Sequence, residues 1–287
     1  MPSDEPVGQR YVERRPVAAL ADIVATVWVQ QVAADGPAQL HRNLPHGGTE
    51  VVCTIGGSAR VVGPLTGALV DVLAPGTTVV GMRLRPGAAG ALLGVPPSEL
   101  IDVAVPADAL WGRAGVALAD RVDAARSPEE ALAALQQGML ARRFTDTDPD
   151  PLVTEAVRLL MPGRATGVAA LPGLLAVSER SLRRRCQAAV GIGPKALHRT
   201  LRFQGFLARA QLARGTGRSS DGLAELAFRS GYADQAHLTR ECVRLTGTTP
   251  RVFLGETADA CVRGHDHAAS YQLVLAGSFN NSGTEAS

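Results

Sequence analysis

At 287 residues the chain has room for about two domains, each with its own core. A hydrophobic content of 46% with 20% charged residues excludes an intrinsically disordered chain, and no run of about 18 apolar residues occurs that could form a transmembrane helix. The formal net charge is only +2, yet residues 164–254 hold 15 Arg and Lys against 5 Asp and Glu, so one basic module in an otherwise acidic chain calls for an anionic partner.

The N-terminus, with Asp4, Glu5 and Pro6, lacks the basic and apolar regions of a signal peptide, so cytoplasmic residence with no membrane association is expected. The four cysteines (Cys53, Cys186, Cys242, Cys261) show no metal-binding spacing and read as small buried hydrophobes. No cofactor is implied. Lys195 is the single lysine, a bias read as compositional rather than chemical.

Residues 1–110 alternate short β-branched runs with Gly and Pro turns, at 24–32, 50–55, 60–62, 68–73 and 77–84. This spacing predicts a meandering sheet or small barrel, with short helical pieces at 88–93 and 97–100. Trp28, His41, His46, Arg83 and Arg85 are the polar or aromatic residues in apolar surroundings and form the candidate ligand pocket. The two arginines suggest a carboxylate or phosphate effector; the plainer alternative makes Trp28 core and both arginines surface.

Residues 111–150 carry helical periodicity at Val116, Leu118 and Val122, then at Ala131, Leu132, Leu135, Met139 and Leu140. Ser127-Pro-Glu-Glu is a strong helix start. This pair of helices reads as a connector or dimerisation element, or as simple packing onto the first domain. Residues 146–151 (Asp-Thr-Asp-Pro-Asp-Pro) read as a linker.

Residues 151–255 open with an amphipathic helix at 152–160, followed by one at 168–175 in which Pro172 falls near the first turn. The stretch from Ser178 then nearly repeats itself at an offset of 56: Leu182 matches Leu238, Arg184 matches Arg240, Cys186 matches Cys242, Gly191 matches Gly247 and Pro194 matches Pro250. Each copy opens on a capping residue, runs about three turns, stops at glycine and restarts at proline. Between the copies, one long helix is expected from Pro194 to about Arg214, then a shorter one at 222–230 capped by Ser219 or Ser220. With Leu182 and Cys186 facing inward, Arg180, Arg183 and Arg184 lie outward. With Leu238 and Cys242 inward, Gln235, Ala236, His237, Thr239 and Arg240 lie outward. Arginine fits guanine or phosphate, and glutamine fits adenine, so two such helices are suited to double-stranded DNA.

These residues, from Leu175-Ala-Val-Ser-Glu-Arg-Ser-Leu to Gly231-Tyr-Ala-Asp-Gln-Ala-His-Leu and Gly247-Thr-Thr-Pro-Arg-Val-Phe, resemble the C-terminal domain of AraC/XylS-type transcriptional regulators over about 152–254. The resemblance implies two helix-turn-helix subdomains joined by a long helix, reading successive major grooves. Three departures stand out: Cys186 and Cys242 where Phe is usual, Ala176 in place of a turn glycine, and Pro172 inside the supporting helix. The motifs Leu44-Pro-His-Gly-Gly-Thr-Glu-Val-Val, Val62-Gly-Pro-Leu-Thr, Gly81-Met-Arg-Leu-Arg-Pro-Gly-Ala-Ala and Leu110-Trp resemble the sensor region of a subset of these regulators from high-GC bacteria.

The expectation is therefore an α+β protein: a β-rich, barrel-like sensor (1–110), a helical connector (111–150), an all-α double helix-turn-helix domain (151–255) and a tail (256–287) that is disordered over 277–287. Its function would be ligand-responsive, sequence-specific transcription regulation, with DNA, RNA polymerase, a small-molecule effector and a second copy as partners. The alternative is a DNA-binding module fused to an enzyme or methyl-accepting repair domain using Cys53. His265-Asp-His267 hints at a metal site, but a solvated tail is the expectation there.

Overall fold

The computed structural model describes residues 8–143, 148–164, 166–215, 222–262 and 264–270. Its N-terminal part is built on a seven-stranded sheet. The strands are β1 (Gln9–Arg14), β2 (Val24–Val32), β4 (Glu50–Thr54), β5 (Ala59–Val62), β7 (Thr78–Leu84), β8 (Ala104–Pro106) and β9 (His265–Asp266), ordered β8-β5-β4-β7-β2-β1-β9. A two-stranded ribbon of β3 (Gln39–Asn43) and β6 (Leu69–Leu73) covers one face. Strands adjacent in sequence are mostly not neighbours in space, so of the two forms expected, meander or small barrel, the strands follow the second, in two sheets.

The strand period of two divides the seven-stranded sheet into unlike faces. Val27, Val29, Val51, Cys53, Val61, Val80 and Met82 form one aliphatic face. Against it pack α2 (Ala107–Trp111), α3 (Arg113–Asp123) and α4 (Pro128–Arg142), with α1 (Gly90–Leu93) in the same core. The connector helices thus complete the core of the first domain. Ser127 caps α4 as expected, its hydroxyl accepting from the Glu130 N–H at 3.1 Å. Val116 is exposed, however, because Gly115, Leu118 and Val122 form the inward row of α3. Most of the expected linker, residues 144–147, lies outside the described residues.

The C-terminal part is all-helical: α5 (Pro151–Leu160), α6 (Leu171–Leu174), α7 (Glu179–Val190), α8 (Pro194–Gly215), α9 (Leu223–Arg229), α10 (Gln235–Thr246) and α11 (Pro250–Val262). The single helix expected at 168–175 is split into a 3-10 turn at Val168–Ala170 and the one turn of α6. The physical cause is Pro172, which has no N–H and whose ring opposes the carbonyl four residues back. Helix α9 starts after Gly222, and Ser219 and Ser220 lie outside the described residues.

Two cores hold the helical part. The first gathers Leu182 and Cys186 of α7 with Val153, Leu160, Ile192, Leu197 and Leu201. The second gathers Leu238 and Cys242 of α10 with Phe203, Phe206, Tyr232 and Phe253. The aromatic volume displaced by Cys242 is thus recovered by Phe203, whose ring lies 5.9 Å from Phe206 and 6.4 Å from Phe253. The first core is aliphatic throughout its buried members.

The tail expectation also changes. Helix α11 runs past residue 255, and residues 264–270 return to the first domain, where β9 pairs in parallel with β1. His265 and His267 are therefore docked, not solvated. Residues 277–287, expected to be disordered, lie outside the described residues. Among the described residues no group of His, Cys, Asp and Glu is arranged to hold a metal, and no helix is long and apolar enough to cross a membrane.

Ala176, between α6 and α7, has φ +52°, the left-handed region that disfavours a β-carbon. Replacing it with glycine should stabilise the protein by about 1 kcal/mol, read as a rise in the denaturant midpoint at unchanged slope.

Candidate nucleic-acid interface and enclosed sensor site

Helices α7 and α10 are built alike from local signals. The Ser178 hydroxyl accepts from the Ser181 N–H at 3.2 Å, and the Asp234 carboxylate accepts from the His237 N–H at 2.6 Å, so each first turn is capped. Gly191 and Gly247 end them at φ +89° and +80°, conformations open to glycine. Leu182, Cys186, Leu238 and Cys242 are all buried, and each leucine contributes about 1.5–3 kcal/mol by burial.

The outward residues divide into two groups. Arg180, Arg183, Arg184, Gln235, Ala236 and Arg240 are exposed. His237 and Thr239 are half-buried and engaged within the domain. The His237 ring stands edge-on to Tyr232 at 5.2 Å, its Nε2 lies 3.4 Å from Arg202, and Arg202 stacks over Tyr232 at 4.5 Å. The Thr239 hydroxyl donates to the Gln235 carbonyl at 2.9 Å. His237 thus ties the start of α10 to Tyr232 and Arg202 while Thr239 bonds within the helix, leaving Gln235, Ala236 and Arg240 as its free face.

On the first domain, the sheet face opposite the helices carries two glutamates, an arginine, an indole and several amides, covered by the β3–β6 ribbon at the Glu50 end and by the segment that follows α11 at the Glu13 end. Glu13 and Glu50 are 6% and 1% exposed. Arg83 lies between them, Nη1 at 2.6 Å from Glu13 and Nε at 2.9 Å from Glu50. Trp28 Nε1 donates to Glu50 at 2.6 Å, and the Asn43 amide donates to its other oxygen. The Tyr11 hydroxyl donates to Glu13 at 2.9 Å. Trp28 lies flat over Gly81, where a β-carbon would come within 2.1 Å of the indole, and stacks on His41 at 5.7 Å.

Electrostatics follow from this enclosure. Burial alone would raise Glu13, but the hydrogen bond from His267 and the Arg83 charge hold its carboxyl far below the usual range. Burial would lower Arg83, and the facing Tyr11, Glu50 and Glu13 raise it instead. Burial pushes His41 down, and His46 down to about 4, so both imidazoles are neutral near pH 7.

Of the five expected pocket residues, Trp28, His41, His46 and Arg83 come together. Arg85 does not: its Nε donates to the Ala21 carbonyl, 2.9 Å away, on the helical side of the strand end. Sequence reasoning missed Glu13, Asn43 and Glu50; Glu50, at the head of the β-branched run 50–55, carried an available signal, whereas Glu13 and Asn43 lie in polar strands that carried none. Cys53 faces the helices, its thiol pushed up to about 12 by burial, the reverse of an activated nucleophile.

The two parts of the chain are in direct contact. Gln204 of α8 donates to the Pro45 carbonyl at 2.7 Å, and Arg42 of β3 pairs with Glu256 of α11 at 2.7 Å. A β-carbon at Gly191, the cap of α7, would lie 2.7 Å from Pro64, and one at Gly67 would lie 3.4 Å from the Arg244 carbonyl of α10. The β5–β6 loop therefore touches both outward-facing helices.

Residues 173–256 match a family described as a helix-turn-helix domain, and residues 12–106 match a domain of unknown function (DUF6597). No curated protein matches the chain. Among solved structures, ToxT from Vibrio cholerae at 1.65 Å is similar at TM-score 0.42 and 11% identity, covering 76% of this chain and 97% of that one. ToxT bound to (E)-4-(8-methylnaphthalen-1-yl)but-3-enoic acid is similar at TM-score 0.44 and 10% identity, covering 86% and 97%. Likenesses at this level carry no functional argument.

Two outcomes follow from the enclosed network. Arg83→Met leaves two buried carboxylates uncompensated and should cost about 3–5 kcal/mol, whereas Arg85→Met should cost under about 1 kcal/mol, both read by chemical denaturation. His46 has a folded value of about 4 against 6.5 in the unfolded chain, so the unfolded state takes up its proton first. Stability from this group is full above pH 6.5 and is lost as the pH falls toward 4; His46→Gln should flatten that part of the stability–pH curve.

Proposed function

We propose that the chain, whose residues 173–256 match a helix-turn-helix domain, is a sequence-specific transcription regulator of the AraC/XylS type whose first domain binds a small-molecule effector. The observation that carries the DNA reading is the matched pair α7 and α10, each capped, anchored by a leucine and a cysteine, and free on a face of arginine and glutamine. Arg180, Arg183 and Arg184 supply an arginine-dense face suited to phosphate and guanine, while Gln235, Ala236 and Arg240 form the more discriminating one.

The effector reading is supported by the enclosed polar face. Burying two carboxylates and a guanidinium contributes little to stability compared with an aliphatic core, so their retention points to recognition. The effector state would reach DNA through the β5–β6 loop, which contacts the ends of both reading helices, and through β3, tied to α8 and α11 by Pro45 and Arg42. RNA polymerase contact and a homodimer complete the proposal. The repair-enzyme alternative finds no support in the buried, inert Cys53 thiol.

Affinity for DNA should fall steeply and linearly in log salt, as for a protein that neutralises several phosphates, and a shallow slope would contradict the assignment of the basic face. Arg240→Ala and Gln235→Ala should each cost about 1–3 kcal/mol on a specific site recovered by genomic footprinting. Equal losses on random DNA would reassign them to backbone contact.

A further inference from the structure

The effector reading is taken one step further by the chemistry of the space beneath the β3–β6 ribbon. A cavity of about 20 Å³ lies there, lined by Gln30, His41, Asn43 and Val79, with Arg60 and Asp71 at its rim. That volume holds one water-sized group. Two buried side-chain oxygens on residues that line it have no hydrogen-bond partner among the described residues: Oε1 of Gln30, a residue 2% exposed, and Oδ1 of Asn43, 4% exposed. Their amide orientations follow from their nitrogens, since Asn43 Nδ2 donates to the Glu50 carboxylate and Gln30 Nε2 donates to Gln9 at 3.1 Å. Both groups left free at the cavity are therefore acceptors. A carboxylate ligand would meet two carbonyl oxygens there, with Glu50 behind them.

Charge points the same way. Arg83 is the cation that the sequence offers to an acidic effector, yet it is shared between Glu13 and Glu50, so the enclosed network has one more carboxylate than guanidinium. At the rim, Arg60 is matched by Asp71 at 3.3 Å. The imidazoles of His41 and His46 are held neutral by burial, and the further basic group facing these carboxylates is His267, whose Nδ1 lies 3.6 Å from Glu13. At the Glu13 end, the segment that follows α11 lies across the carboxylate: the Ser270 N–H donates to it at 2.9 Å, and His267 places Nδ1 3.6 Å away. His41, which lines the cavity, is held there by stacking on Trp28.

We propose that this cavity is the head-group site for a small organic cation bearing N–H donors, a primary ammonium compound. The ammonium group occupies the water-sized space, donates to Gln30 Oε1 and Asn43 Oδ1, and takes its charge partner in Glu50 through Asn43. The remainder of the ligand leaves past the half-exposed Arg60–Asp71 rim. The proposal rests on the effector reading of the first domain and specifies its ligand class.

The test uses the full-length protein carrying Trp111→Phe, so that Trp28 is the remaining tryptophan, and follows its fluorescence and the thermal midpoint. The probes are putrescine and phenethylamine, set against succinate and phenylacetate as acids of similar skeleton. Saturable binding of an amine, with its affinity lowered about tenfold by Gln30→Leu and by Asp71→Asn, is the expected result. Asp71 is partly exposed and Gln30→Leu replaces a buried amide by an apolar group of similar size, so both variants retain the fold, which the thermal midpoint verifies. Binding of the acids but not the amines would overturn the cation assignment while leaving an effector domain in place. No binding of either series up to millimolar concentration would overturn the site, leaving a cavity for structural water. DNA affinity and its salt dependence, measured on the same preparation, report independently on the regulator reading.

Discussion

A guanidinium shared between two buried carboxylates is the constraint around which the first domain is arranged. Arg83 comes from β7, Glu13 from β1 and Glu50 from β4, so the ion cluster fixes three strands across the sheet. Each of these charges buried alone would be costly, and together they are tolerated only because every carboxylate oxygen has a further donor. Trp28, Asn43, Tyr11 and Ser270 supply those donors, from the sheet, the ribbon and the segment that follows the last helix. Loosening any one of these elements exposes an unmatched charge. That coupling makes the polar sheet face a structural unit in which a displacement at one element is felt at the others.

The coupling extends to the helical part. The segment at 264–270 follows α11 and pairs with β1, while the ribbon strand β3 holds α11 through Arg42 and leads to Pro45, which meets α8. The β5–β6 loop bears on the glycine that ends α7 and on the backbone of α10. A change in how the ribbon or the segment sits is thereby a change in the packing around both outward helices. Packed interfaces of this kind respond by shifting between discrete arrangements, the kind of change that the proposed regulation would use.

The two helix-turn-helix halves are not equivalent. The second has an aromatic core in which Phe203, Phe206 and Phe253 surround the small Cys242, and His237, Tyr232 and Arg202 brace the start of its outward helix. The first has an aliphatic core, a supporting helix broken by Pro172 and a strained turn at Ala176. The two outward faces differ likewise: α7 presents Arg180, Arg183 and Arg184, whereas α10 presents Gln235, Ala236 and Arg240.

How much the sequence determined tracks how local each signal is. The caps at Ser178 and Asp234, the left-handed glycines at 191 and 247 and the i, i+4 pairs Leu182/Cys186 and Leu238/Cys242 lie within a few turns of one another, so α7, α10 and their exposed faces were legible from residue order alone. The strands with β-branched runs were legible for the same reason. The strands β1 and β3 were not, because their residues are largely polar and become strands only by pairing with β2 and β6. The enclosed site was half legible: aromatic and basic residues in apolar runs marked Trp28, His41, His46 and Arg83, but residues two apart share a strand face, so spacing could not tell Arg83 from Arg85, which lies beyond the end of β7 at Leu84. Its acids, and the return of His265 and His267 to Tyr11, depended on contacts between residues up to more than two hundred positions apart. Spacing along the chain carries the period of an element and its caps; which face is covered, and by what, is settled only when distant strands pair and bury it.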